Sequence, residues 1–269
     1  MSDPLVLVER DGDVATVTFN DPERRNAMTR AMGEAFAREM ALLSRAAGLR
    51  AVVLTGAGRA FSAGGDFDML DALASDGAAE PGIARRAIRE TMRSFYKLFL
   101  SVRDLPCPTI AAINGHAIGA GLCVALACDL RLVSTDAKLG LNFTKLGLHP
   151  GMAATWTLPR LIGTARAAEL LYTSRLLTGE EAARIGLASE SLLPDQVLPA
   201  ALRMAAEVAG CAPIAVAGVK RALERSAGAS LEDQLSFEAA EQAVCFESED
   251  VGEGLRAARE RRDPAFRGR

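Results

Sequence analysis

The chain has 269 residues, of which 49% are apolar, enough for a substantial core, and its formal net charge is −3. That charge gives no basic surface for a polyanion, so we expect no nucleic-acid partner. No apolar run approaches the ~18 residues of a membrane span, and the start MSDPLVLVERDGD lacks a signal-peptide pattern, so we expect a cytoplasmic protein without a membrane partner.

The first residues predict a sheet edge followed by a helix. Residues 5–9 and 14–19 alternate apolar with polar side chains across a short polar turn, which indicates a β-hairpin. Thr29 caps a predicted helix that runs to about Ala47. A β-branched run at 50–55 then predicts a buried strand.

Two strand–loop–helix units share one pattern. In the first, Gly64-Gly65 stand directly before Asp66, which suits a helix cap. In the second, a strand at 109–113 leads to Gly119-Ala120-Gly121 and an apolar helix at 122–128. Such loops point backbone N–H groups at one place, and two converging donors form an oxyanion hole. Glycines that serve only close packing are the alternative.

Between and after these units the prediction alternates helices with strands. A short helix runs from Asp66 to about Leu73, the breaker-rich segment 75–82 is predicted to be a mobile surface loop, and a helix spans 83–102. Strands follow at 130–134 and 138–139. Strands alternating with helices in this way indicate repeated ββα units around a parallel-rich core.

From Met152 onward the pattern is mostly helical, with a short predicted strand at 187–193. Caps or breakers bound predicted helices at 178–185, 195–209, 213–226, 231–246 and 248–262. Ser248 begins the last helix, and Asp263-Pro264 ends it. Five cysteines without C-x-x-C spacing indicate reduced thiols, and two histidines argue against a histidine-based metal site.

Four blocks of sequence resemble the enoyl-CoA hydratase/isomerase family, also called the crotonase superfamily. They are RRNAM at 24–28, FSAGGD at 61–66, INGHAIGAGLCVALACD at 113–129 and EGLRAARERRDPAFRGR at 253–269. The resemblance implies an α/β fold, a crotonase-type spiral of repeated ββα units with a C-terminal helical trimerisation region. Residues 1–195 would form the spiral core with the acyl-CoA site, and 196–269 the helical region of a homotrimer or a hexamer made of two trimers.

The resemblance also implies a ligand and a set of contacts. The ligand is an acyl-CoA thioester, with coenzyme A as part of the substrate and no permanently bound cofactor. The two oxyanion donors correspond to the N–H groups of Gly65 and Ala120. Contacts with coenzyme A correspond to Arg24, Ala27, Ala63, Asp66 and Phe266, the last reaching a neighbouring subunit. For Arg24, a merely solvated arginine is the alternative.

The positions at which members of this family carry catalytic acids are not acidic here. Cys123 and Phe143 stand where hydratases place two glutamates, and Gly151 stands where isomerising or dehalogenating relatives place an acid. Phenylalanine and glycine exchange no proton, and a thiol is a poor substitute unless its pKa is tuned. These residues do not support hydration by two carboxylates.

Two other side chains are candidates for proton transfer. His149 lies in the loop that carries catalytic acids in relatives, where it would be a base, an orienting donor or a rim residue. Asp68 lies three residues after Gly65, and its alternative role is to complement the dipole of a helix N-terminus. Two hypotheses therefore stay open: an enzyme that isomerises or decarboxylates through an enolate, or a non-catalytic acyl-CoA-binding protein.

Overall fold

The computed structural model describes residues 3–269. The strands in this range are β1 (Val6–Asp11), β2 (Val14–Phe19), β3 (Ala51–Gly56), β4 (Ala60–Ser62), β5 (Thr109–Ile113), β6 (His116–Ile118), β7 (Leu130–Ser134), β8 (Lys138–Gly140), β9 (Leu177–Thr178) and β10 (Glu190–Leu192). The α-helices are α1 (Arg30–Leu43), α2 (Phe67–Ala79), α3 (Ala84–Leu100), α4 (Ala120–Ala127), α5 (Ala154–Ile162), α6 (Thr164–Thr173), α7 (Gly179–Arg184), α8 (Val197–Ala209), α9 (Pro213–Ser226), α10 (Leu231–Glu247) and α11 (Glu249–Glu260).

The strands form two sheets that the chain visits in turn. The larger sheet has the order β1-β2-β3-β5-β7-β10, and the smaller has the order β4-β6-β8-β9. Strand β1 is antiparallel to β2, while the pairs β2-β3, β3-β5, β5-β7 and β7-β10 are parallel. The pairs β3-β4, β5-β6 and β7-β8 each give one strand to each sheet. The predicted α/β architecture of repeated ββα units around a parallel-rich core is confirmed.

Both faces of the larger sheet are covered, which explains why its central strands are uniformly apolar. All residues of β3 and β5 are buried. One face packs on α1 and α3 through a cluster of aromatic rings in which Phe19 lies 5.2 Å from Phe36, centroid to centroid. Helix α8 covers the other face with small side chains, among them Ala201 and Ala205. The boundary at residue 195 stays a prediction, and α8 beyond it packs directly on the sheet.

Several predicted boundaries are confirmed and others are wrong. The hairpin of β1 and β2 is as predicted, and Thr29 caps α1 by accepting a hydrogen bond from the Met32 N–H at 3.1 Å. Helix α1 ends at Leu43 rather than near Ala47, and the hydroxyl of the next residue, Ser44, donates to the Ala41 carbonyl at 3.0 Å. The prediction of a mobile loop at 75–82 is wrong over its first five residues.

Those five residues continue α2, which ends only at Ala79. Alanine favours the helix enough to carry it through Gly77, and Pro81-Gly82 then end it. The short strand β6 was not predicted, because three residues leave too little alternation to recognise. The helix predicted at 83–102 consists of α3 and a turn of 3-10 helix at 101–104.

The C-terminal helices follow the predicted order, and Ser248 begins α11. The last residues are tied to the body of the chain, since the buried carboxylate of Asp250 accepts hydrogen bonds from the N–H groups of Arg267 and Gly268. In the part of the chain that the structure describes, no single helix is long and apolar enough to cross a membrane. Segments Pro194–Ala209 and Pro213–Ser226 are long and apolar enough only when they are taken together, and the chain bends by 110° between them.

Candidate active site

A cavity of about 240 Å³ opens where the two glycine-containing loops meet α2 and α3. The loops contribute backbone, and the helices contribute almost only apolar side chains. Its lining comprises Ala63, Gly64, Gly65, Phe67, Met69, Leu70, Leu73, Ala74, Ile88, Met92, Phe95, Tyr96, Gly119, Ala120, Asn142, Phe143, Leu146, Leu148, His149 and Met152. A concave, mostly apolar site with a few polar groups is typical of small-molecule binding.

Hydrogen bonds to both backbone groups of Gly64 fix the first loop. The Gly64 carbonyl accepts from the Met28 N–H at 2.7 Å, and the Gly64 N–H donates to the Ser62 hydroxyl at 3.1 Å. Gly64 has a φ of +94°, and a Cβ there would lie only 2.5 Å from the carbonyl oxygen of Ile118. Glycine is required at this position because both the conformation and the close approach exclude a side chain.

The second loop leads directly into α4. Gly119 caps the helix with a φ of +52°, and its N–H donates to the Gly140 carbonyl at 2.7 Å. Ala120 is therefore the first residue of the helix, where an N–H has no acceptor within the helix. A Cβ at Gly121 would lie 2.7 Å from the Cβ of Ser62, so glycine there lets the two loops touch.

Gly65 and Ala120, the residues of the two predicted donors, both line the cavity. Among residues 3–269, neither group donates a hydrogen bond to another part of the chain. The first loop comes close to the second, since a Cβ at Gly64 would lie 3.6 Å from the Ala120 nitrogen. Free backbone donors at a helix N-terminus can bind a negative charge or one that develops on a carbonyl oxygen.

Tyr96 and His149 are the titratable side chains in the lining of this cavity. The Nδ1 atom of the exposed His149 ring lies 2.7 Å from the carbonyl oxygen of Pro150. Because that oxygen can only accept, Nδ1 carries the hydrogen of this bond, and in that tautomer Nε2 has the lone pair that can take a proton. The carboxylate of Asp68 is exposed on the first turn of α2, outside the lining, which favours its alternative role at the helix N-terminus.

The whole arrangement matches a known family. The model of the family described as enoyl-CoA hydratase/isomerase matches residues 9–269. The chain belongs to this family. A Thermus thermophilus protein whose name is that of an enoyl-CoA hydratase is 38% identical over 97% of this chain and 100% of its own length. The short-chain-enoyl-CoA hydratase of Clostridium acetobutylicum is 31% identical over 96% of this chain and 95% of its own length.

Solved structures of the enoyl-CoA hydratase/isomerase family share the fold. The crystal structure of an enoyl-CoA hydratase from Bacillus anthracis superimposes with a TM-score of 0.87 at 32% identity. The match covers 98% of this chain and 100% of that one. The fold predicted from the resemblance, with its C-terminal helices, is therefore confirmed.

Cys123, Phe143 and Gly151 are the residues that the resemblance aligns with the family's acids, and that alignment stays a prediction. Cys123 is fully buried beneath the cavity, where its thiol donates to the Gly151 carbonyl at 3.7 Å. Burial raises the pKa of this thiol to about 12, so it stays protonated and unreactive. Phe143 belongs to the cavity lining. Gly151 faces the hydroxyl of Tyr96, which occupies the space that a side chain at 151 would need.

Tyr96 is a cavity residue that the sequence interpretation missed. It follows Ile88 and Met92 at intervals of four residues along α3, so these three side chains form one stripe, and all three line the cavity. The neighbouring Phe95 and Phe99 are fully buried in the core. The spacing of four is visible in the sequence, but it does not say which stripe of an amphipathic helix meets the ligand.

Four of the five residues expected to contact coenzyme A lie close together. Arg24 is half exposed beside the first loop, and its guanidinium lies 3.1 Å from the Asp66 carboxylate. Asp66 caps α2 by accepting from the Asp68 N–H at 3.2 Å. Ala63 lines the cavity, and the Ala27 N–H donates to the Arg24 carbonyl at 3.1 Å. Arg24, Ala27, Ala63 and Asp66 thus lie along one edge of the first loop.

Phe266 lies apart from this group within its own chain. Its carbonyl accepts a hydrogen bond from Arg50 at 2.7 Å, and Arg50 directly precedes β3. The first loop lies beyond the opposite end of that strand. Its ring packs beside Gly254 of α11. The expected contact of Phe266 with coenzyme A therefore requires a neighbouring subunit, and it stays a prediction.

Proposed function

We propose that this protein binds an acyl-CoA thioester in the cavity and stabilises its enolate between the N–H groups of Gly65 and Ala120. The observation that carries the proposal is this pair of free backbone donors in the lining of an apolar cavity. Each such donor is typically worth a factor of ~10²–10³ in rate. The names of the relatives, which are those of enoyl-CoA hydratases, support the thioester as ligand.

The side chains favour an enolate-forming reaction such as isomerisation over hydration. Nε2 of His149 can accept the proton that leaves the α-carbon, while the oxyanion donors hold the negative charge on the thioester oxygen. Hydration by the family's usual route needs two carboxylates, and Cys123 and Phe143 supply neither. Each missing acid–base group typically costs a factor of ~10²–10⁴.

The first test is a panel of acyl-CoA thioesters measured for binding and for turnover. We expect binding by titration calorimetry, and hydration of a short-chain enoyl-CoA well below the ~10 s⁻¹ of an ordinary enzyme. Hydration at ordinary enzyme rates would contradict this assignment of the site. Absence of binding across the panel would reject the proposed function altogether.

The second candidate function, a non-catalytic acyl-CoA-binding protein, is favoured by the missing carboxylates. Exchange of the α-hydrogens of a bound acyl-CoA with D₂O, followed by NMR, separates the two candidates. An enzyme exchanges them, and His149→Gln abolishes exchange while binding persists. His116→Gln is the matched control, since that exposed ring only accepts a hydrogen bond from the Lys138 N–H at 3.1 Å. A wild-type protein that binds without exchange or turnover is a binding protein.

A further inference from the structure

The hydroxyl of Tyr96 is a polar group that the proposed enolate chemistry does not use. Tyr96 is half-buried in the cavity lining, and no group among residues 3–269 accepts or donates a hydrogen bond at its hydroxyl. The hydroxyl is not fully buried, so it is open to the cavity as a donor that the protein itself leaves without a partner. A ligand that offers an acceptor at this point would therefore gain binding free energy.

The position of this hydroxyl is set by the glycine opposite it. A Cβ at residue 151 would collide with the hydroxyl oxygen and would lie 2.7 Å from Cζ of the same ring. The Cys123 thiol donates a hydrogen bond to the carbonyl of the same glycine at 3.7 Å. The Tyr96 hydroxyl thus lies against Gly151, the residue whose carbonyl the Cys123 thiol contacts.

The chemistry of this hydroxyl is that of a neutral donor. Burial is the main cause that raises the pKa of Tyr96 above its ordinary value, so the side chain stays protonated near neutral pH. A neutral phenol donates a hydrogen bond readily and is a poor base. The stripe of α3 that carries Tyr96 also carries Ile88 and Met92, so the donor is held on a helix rather than on a loop.

We propose that Tyr96 selects the acyl group, by donating a hydrogen bond to an oxygen that the acyl chain carries on its β-carbon. This inference rests on the proposed function, in which Gly65 and Ala120 hold the thioester carbonyl. With that carbonyl fixed, the first carbons of the acyl chain enter the same cavity that Tyr96 lines, and a 3-oxo or 3-hydroxy group is the acceptor that reaches Tyr96. A saturated chain leaves the hydroxyl without a partner.

The test compares two ligands of equal chain length, hexanoyl-CoA and 3-oxohexanoyl-CoA, by titration calorimetry. We expect wild type to bind the 3-oxo compound about tenfold more tightly, the effect of one hydrogen bond. Tyr96→Phe removes only the hydroxyl, and should bind both ligands equally without losing affinity for hexanoyl-CoA. Tyr172→Phe is the matched control, because Tyr172 is 79% exposed and outside the cavity, and it should keep the preference.

The possible outcomes separate the role of Tyr96 from the proposed function. A Tyr96→Phe variant that keeps the preference, or a wild type that has none while binding hexanoyl-CoA, overturns the role of Tyr96 and leaves the proposed function standing. A wild type that binds neither thioester rejects both. Gly151→Ala provides a second measurement, since its methyl group must displace the hydroxyl and should remove the preference. Thermal unfolding of each variant confirms that the comparison is made on folded protein.

Discussion

The proposed role of Ala120 uses its backbone alone, so only a substitution that removes its N–H tests the proposed oxyanion donor. Proline is tolerated at the first position of a helix, and Ala120 occupies that position in α4. We expect Ala120→Pro to fold and to lose acyl-thioester binding or turnover, by about the factor of 10²–10³ that one donor contributes to rate. Circular dichroism reports the fold, and the assays on the acyl-CoA panel report the loss.

The matched control for this change is Ala120→Gly, which keeps the N–H and removes only a methyl group. It should retain activity close to that of wild type. A folded Ala120→Pro protein with unchanged binding and turnover would show that this N–H is not part of the site.

The structural role of Asn26 is not visible in the sequence. Within the RRNAM block its side chain is fully buried, and its amide donates to the carbonyls of Ala57 and Ala60 at 3.0 and 2.8 Å. Its φ of +56° lies in the left-handed region, which asparagine tolerates better than most residues. Asn26 lies within the RRNAM block, so the resemblance to the family marks its position in the sequence. The bonds depend on a segment more than thirty positions away, which no local pattern describes.

At the scale of the elements, one buried ion pair fastens α9 to the larger sheet. The ammonium of Lys220 lies 3.0 Å from the Asp129 carboxylate and donates to the Cys107 carbonyl at 2.9 Å, with only 7% of its side chain exposed. The same carboxylate accepts from the N–H and hydroxyl of Thr109 at the start of β5. The pair therefore joins the C-terminal helices to the strand that leads into the second loop.

We expect Lys220→Met to lower the free energy of unfolding by about 1–3 kcal/mol. Methionine keeps most of the buried volume and leaves the Asp129 carboxylate without its cation, at a cost reduced because that carboxylate is one-third exposed. Denaturant unfolding followed by circular dichroism measures the change. Arg221→Met is the matched control on the next residue, because Arg221 pairs with Glu241 at the surface and should cost less than about 1 kcal/mol. Equal losses in the two variants would contradict the argument.

The elements that position the site differ in how far the sequence predicts them. The two loops are visible in it, because Gly64 and Gly119 are required by positive φ values and close contacts that few other residues allow. The length of α2 cannot be predicted from the sequence, because the alanines beyond Leu73 favour a helix while Gly77 and Pro81 suggest a loop. The role of Tyr96 depends on Gly151, which is 55 positions away and lies on another element.

At the scale of the whole molecule, α10 has no buried residue in the single chain, although it is 17 residues long. Leu231, Leu235 and Phe246 on this helix are 77%, 51% and 73% exposed. Apolar side chains concentrated in this way indicate a surface that another copy of the chain covers. We therefore propose self-association in multiples of three, as the family resemblance implies.

Sedimentation equilibrium tests this assembly. We expect a mass that is three or six times the 28.4 kDa of the chain, and a mass near 28.4 kDa would contradict the proposal. Leu235→Asp should shift the distribution towards monomer by placing a charge in the covered surface. Leu42→Asp is the control, since Leu42 is 60% exposed on α1, and it should leave the mass unchanged.

The cavity is formed partly by main-chain groups and partly by side chains, and mutations affect these two parts differently. The donors of Gly65 and Ala120 are peptide groups, so most codon changes leave them in place, provided that the glycines around them persist. The stripe of Ile88, Met92 and Tyr96 is encoded by side chains on one face of α3. Substitutions along that stripe would change which acyl group is accepted, while the proposed ability to polarise a thioester would be inherited unaltered.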